Sequence, residues 1–176
     1  MLNAIEAILI CLVAQAAVTD LAMRKIPNVL ILSGLLLAII LHLLGGQSWA
    51  PLSQWLAGML AGFFLFLPLY LLRGMAAGDV KLMAMVGAFV GPQAALHIGV
   101  LAYLIGGVMA VIILICSGRW RESWRNVALI CKPLMWRLLG LPLVPVPLAS
   151  IASVGGIPYG VAIALGTGGF VAWAHR

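Results

Sequence analysis

Acidic side chains are nearly absent from this sequence: Glu6, Asp20, Asp79 and Glu122 are the only four in 176 residues. Charge of either sign is scarce, at 8% of residues against the roughly 25% of soluble domains. Hydrophobic residues make up 65%, and the mean hydropathy is +1.21. That balance excludes a water-soluble globular domain. In lipid the backbone must satisfy its own hydrogen bonds, and apolar runs near 20 residues do so as helices. The expected fold is therefore all-α, a single integral-membrane domain over residues 1–176.

Other absences narrow the chemistry. The three cysteines, Cys11, Cys116 and Cys131, form no CxxC pair or other metal spacing, and Cys11 and Cys116 read as small apolar side chains within spans. His42, His97 and His175 are too scattered for a metal site, so no metal and no cofactor are expected. Gly-x-Ser-x-Gly does not occur, and Ser33, Ser150 and Ser153 have no histidine expected on their side of the membrane, which argues against a serine protease. No convincing internal repeat supports a transporter. The net charge of +6 is strung between apolar runs, so anionic lipid is the expected partner and nucleic acid is not.

Apolar runs occupy about residues 4–19, 29–45, 55–72, 80–91, 95–116 and 157–174. Ala14-Gln15-Ala16 imitates a cleavage site, but the first ten residues carry Glu6 and no basic residue, so the first run is expected to be a retained span. Arg24 and Lys25 follow the first run, Arg73 and Lys81 bracket the link between the third and fourth, and five basic residues follow the fifth. The opposite links carry no charge. Basic links stay in the cytoplasm, so the sequence predicts six crossings with both termini outside. Residues 117–140, with Trp120, Trp124 and Trp136 among the basic side chains, suit an interfacial segment between helices five and six. Pro142, Pro145 and Pro147 argue against continuous helix after it. Trp49 and Trp55 read as interface anchors beside an outer link.

Under this topology Asp20 and Asp79 both face the cytoplasm. An ionised carboxylate costs roughly 2.5 to 3.5 kcal/mol at the centre of a spanning helix, so two on one face point to a catalytic pair. Asp20 lies in TDLAMRKIPN, residues 19–28, with Pro27 where the second helix should begin. Asp79 lies in GMAAGDVKLMA, residues 74–84, where Gly74 and Gly78 permit unusual backbone shapes. A helix-capping role is the bland alternative for Asp79. Lys81 reads as a snorkelling cation or a lipid contact, and Met75, Met83 and Met85 as gap fillers beside the site.

At these motifs the chain resembles the type IV prepilin peptidases, aspartic membrane proteases of the GxGD type, and especially the short form serving Flp (tight adherence) pili. Asp20 with Arg24, Ile26, Pro27 and Asn28 matches one family motif, and Gly78, Asp79, Val80, Lys81 and Leu82 match the other. GGIPYG, residues 155–160, resembles the family's Pro-Tyr-Gly or Pro-Phe-Gly segment before the last span, with Pro158 and Tyr159 as its members here. The resemblance implies Asp20 and Asp79 as catalytic residues, with Gly78, Lys81, Arg24, Pro27, Asn28, Pro158 and Tyr159 as supporting or substrate-site residues. It implies prepilin or pseudopilin substrates, membrane lipids and pilus secretion machinery as partners, and a place in the bacterial cytoplasmic membrane with the site facing the cytoplasm. Ala76 replaces the first glycine of Gly-x-Gly-Asp, which matters only if that position needs positive φ. The cysteine-paired region of the long members is missing, which argues against N-methylation. Two nearby carboxylates share a proton and hold one water, one serving as base and the other as acid, with the assignment open. A small ion or proton-coupled transporter using Asp20 and Asp79 as cation sites, and a structural subunit of a secretion machine, are the other readings of the same acids.

Overall fold

The structure, a computed structural model, describes residues 4–45, 50–72, 74–117 and 158–176. The expected interfacial segment and the proline-rich stretch lie outside the described residues. Contacts divide the chain into two compact units, Met1–Gly107 with Pro158–Arg176, and Val108–Ile157. The candidate site lies wholly in the first. Of the described residues 91% are helical. The helices are α1 (Ala4–Met23), α2 (Asn28–Gly45), α3 (Ala50–Leu71), α4 (Ala77–Ser117) and α5 (Tyr159–Ala174).

Among the described residues three stretches, Ala4–Met23, Leu52–Leu71 and Ala77–Cys116, are long and apolar enough to cross a membrane, and Asn28–Leu44 and Tyr159–Ala174 are shorter apolar helices. Large apolar side chains stand outward along all five, as at Val29, Leu36, Leu60, Leu104 and Leu165. Apolar exposure on that scale is stable only in lipid.

Helix ends follow from local chemistry. α1 stops where Arg24 takes a left-handed conformation (φ 53), its N–H still bonded to the Asp20 carbonyl at 2.9 Å. Pro27 two residues after Lys25 keeps Ile26 out of the helical region. The Pro27 carbonyl then accepts from Leu30 and Ile31, so Pro27 sits one residue before α2 instead of in its first turn.

At residues 91–94 two helices meet almost without a link. The helical path of α4 breaks at Gly91, whose φ of 79 and ψ of 174 only glycine adopts readily. The chain folds back there, with Pro92 opening the returning arm. A Cβ on Gly87 would lie 3.3 Å from the Cβ of Ala95, eight residues on. Tyr159 touches Gly106 while feeling the charge of Asp79, and 27 residues of straight helix would separate those two positions by about 40 Å. The outgoing arm is central: from Asp79 to Phe89 every residue except Lys81 is buried.

Glycine permits this density. A Cβ on Gly58 of α3 would lie 2.0 Å from the Gly87 carbonyl oxygen, one on Gly87 would lie 2.1 Å from that of Gly58, and one on Gly62 would lie 2.3 Å from that of Met83. Backbones meeting this closely are how helices associate where lipid removes the hydrophobic drive. Met85 fills the space over Gly34 of α2, consistent with a gap-filling methionine. On the other side α1 packs along α5, with Leu9, Val13 and Ala16 buried on one and Ala162 and Ile163 on the other, while Gly166 admits the backbone of Ile98 and Ala102 on the returning arm.

Candidate active site

Asp20 is buried because it continues a stripe. Leu9, Val13, Ala16 and Asp20 recur at spacings of four, three and four, so they share the inward side of α1. Its side chain therefore turns into the protein and is only 7% exposed. Asp79 is 4% exposed and stands in the first turn of α4.

Both carboxylates meet the free N–H groups of a helix start. The first N–H groups of a helix have no intrahelical partner and carry partial positive charge, which stabilises a buried anion. Pro158 precedes α5, and its carbonyl accepts from Val161 at 3.1 Å. Gly160, second in α5, is left with a free N–H, which donates to Asp20 Oδ2 at 2.9 Å across 140 residues of chain. A Cβ on Gly160 would stand 2.9 Å from Asp20 Oδ2 and 3.0 Å from its Cβ, so only glycine lets the carboxylate come this close.

At Asp79 the arrangement is local. The Ala76 N–H donates to Asp79 Oδ2 at 3.1 Å, while the Asp79 N–H donates to the Ala76 carbonyl at 3.1 Å. Asp79 reaches back from the third helical position as the acidic half of a capping box does, while its own N–H goes to a backbone carbonyl because Ala76 has no side-chain oxygen to return the bond. The capping role weighed from the sequence is thus present, and it leaves Oδ1 without a protein hydrogen bond among the described residues. Ala76 does not have positive φ, so the alanine is compatible with this loop. Neither Gly74 nor Gly78 has positive φ either, contrary to the unusual backbone expected of them. A Cβ on Gly78 would meet that of Ile26 at 3.4 Å, an ordinary contact.

The two acids, 59 positions apart in sequence, lie within electrostatic reach of each other, and Tyr159 lies within reach of Asp79. Tyr159 is buried with its ring against Gly106 of the returning arm. The remaining expected residues gather at the same end. Lys81 donates to Asn28 Oδ1 at 3.1 Å, joining the two motifs through their polar side chains. Lys81 is exposed, as the snorkelling expectation has it, but its ammonium group is engaged by α2. Arg24 is exposed at the end of α1. Of the histidines, His42 and His97 bond carbonyls four residues earlier in their own helices, and His175 bonds Glu6 at 2.7 Å at the opposite end of the α1–α5 pair.

Sequence reasoning assigned Pro158 and Tyr159 but passed over Gly160 and Ala76, which contribute through backbone N–H groups. The arrangement brings two buried carboxylates within electrostatic reach of each other, each accepting one backbone N–H through Oδ2.

A family model described as "Type IV leader peptidase family" matches residues 7–111, a stretch that includes both aspartates. Neither the curated proteins nor the solved structures compared with the chain gave a significant match.

Proposed function

The chain belongs to the type IV leader peptidase family, and from that premise we propose that it is a membrane-embedded aspartic endopeptidase removing the short N-terminal leader of Flp-like prepilins at the cytoplasmic membrane face. The observation that supports the reading is that Asp20 and Asp79 lie within electrostatic reach of each other, each buried and each accepting a backbone N–H. In a chain with four acids, burying two of them in electrostatic contact is costly for folding alone.

In the proposed reaction one aspartate is ionised and the other protonated. The ionised carboxylate takes a proton from water as the oxygen attacks the scissile carbonyl carbon, and the protonated partner gives its proton to the carbonyl oxygen. The resulting gem-diol collapses as the C–N bond breaks, with a proton passed to the departing amine. Neither acid is consumed, and no cofactor is required. Six crossings with both termini outside would put this end of the bundle at the cytoplasmic boundary. That is where a precursor's basic leader meets its apolar helix.

The test is co-expression with each small secreted precursor of the same genome, scoring leader removal by mass. Wild type is expected to shorten one or more precursors. Asp20→Ala and Asp79→Ala are each expected to abolish shortening at normal protein levels. Retained processing in either variant overturns the two-acid mechanism.

A further inference from the structure

An apolar groove of about 530 Å³ runs between α2, α3 and α4. Its two ends differ. At the end nearest Asp79 lie Asn28 and Lys81, hydrogen bonded to each other, and Lys81 is the only charged residue of the lining. Away from them the walls are apolar, with Ile31 and Leu35 on α2, Leu60 and Phe63 on α3, and Ala84 on the floor. From Asn28 to Leu35 the groove follows α2 for seven residues, about 10 Å or two helical turns.

We propose that this groove seats the first two turns of the precursor's apolar helix and that the Asn28–Lys81 pair recognises the junction between leader and helix. The proposal rests on the peptidase reading and names the substrate contacts of the same site. Apolar walls alone do not select a peptide, since acyl chains fill such a groove equally well. Selection has to come from close packing and polar groups, and both are present. Ala84 is small and lets a helix backbone approach. The polar pair offers a donor and an acceptor side by side. A chain passing from extended leader into helix exposes free carbonyls before the junction and free N–H groups in the first turn. Lys81 Nζ complements the first and Asn28 Oδ1 the second. A lipid phosphate has only acceptors and would use the donors of Lys81 Nζ and Asn28 Nδ2, whereas a peptide junction also uses the acceptor site that Asn28 Oδ1 keeps beside its bond from Lys81. Lys81 is two residues from Asp79, about 3 Å along the helix axis though on another side of α4, so a helix held here has its junction at the level of the acids.

The test places a photoreactive benzophenone side chain at Leu35, at Leu60 and, as an off-groove control, at Leu165 on the outward side of α5. It is done in full-length protein carrying Asp79→Asn so that bound precursor persists. The probe is a synthetic precursor with a basic leader and an apolar helix of about 20 residues. Illumination is expected to add the precursor's mass at Leu35 and Leu60 and not at Leu165. In the otherwise wild-type enzyme, Leu32→Trp and Leu60→Trp are expected to raise KM at least about fivefold with kcat unchanged, whereas Leu165→Trp changes neither. Asn28→Leu should raise KM on the order of tenfold, and Asn28→Gln should recover most of it. Cleavage of the precursor by wild type, accompanied by lipid adducts alone at Leu35 and Leu60, overturns the groove and leaves the peptidase reading standing. An absence of cleavage by wild type defeats the peptidase reading, and the groove's assignment falls with it.

Discussion

Glycine at position 160 is the residue on which the geometry of Asp20 depends most directly. Among the described residues its N–H supplies the one backbone hydrogen bond to that carboxylate, and its missing side chain supplies the room. Gly160→Ala forces a Cβ within 3.0 Å of Asp20 and displaces it. We expect at least about a tenfold loss of leader removal with kcat affected and protein levels near normal, as for a group that positions a reacting one. Gly78→Ala is the informative contrast: its Cβ meets only Ile26, at 3.4 Å, and processing should persist despite the place of Gly78 in the acidic motif. Precursor mass in membranes from both variants checks the pair. At this scale the sequence was legible where side chains carry the signal. Two aspartates among four acids, in an apolar chain, stand out by scarcity alone. The N–H groups of Gly160 and Ala76 could not be read, because every residue but proline has one and only the folded path shows where it points. The glycines of the Asp79 motif misled for the converse reason, since composition marks conformational freedom and does not say whether the fold uses it.

Among the elements, α4 decides the architecture, because its reversal at Gly91 brings the returning arm back to Tyr159. Gly91→Ala places a side chain at φ 79, ψ 174 and is expected to cost on the order of 1–3 kcal/mol, read as earlier unfolding in a detergent-denaturant titration. Gly58→Leu should be more damaging, since its side chain collides with the Gly87 backbone. A charge-free break near residues 91–94 was evident from the sequence, as was the apolar length on each side. That the break is one residue wide was not, because a glycine–proline pair marks the end of one helix and the start of another without fixing the angle between them. The glycines at 58, 62 and 87 form a contact surface invisible to a hydropathy scan, which scores them as neutral. Their role emerges only when the facing backbone is known.

Across the whole molecule, the described residues are apolar helices, and among them charge is confined to Glu6, Asp20, Arg24, Lys25, Asp79, Lys81 and Arg176. The α1–α5 pair is antiparallel, tied at one end by Asp20 and Gly160 and at the other by Glu6 and His175. If the proposed orientation holds, single cysteines placed at Ile26 and Ala76 in a cysteine-free background should react with a membrane-impermeant maleimide only in inside-out vesicles. One at Ala174 should react only in right-side-out cells. Labelling of positions 26 and 76 from opposite sides would refute a shared face for the two acids. Helical class and the rough extent of each apolar run were accessible from length and composition, because lipid leaves the backbone few alternatives.

The donor for Asp20 arrives on the last helix, well over a hundred residues after the carboxylate it serves. During synthesis α1 and the outgoing arm of α4 enter the bilayer before residue 160 has left the ribosome, so the first acid waits without its partner. A half-made chain therefore lacks the Gly160 donor to Asp20. Under the proposed peptidase reading, activity would begin only with the arrival of the C-terminal helix, a timing that would spare neighbouring nascent proteins from untimely cleavage.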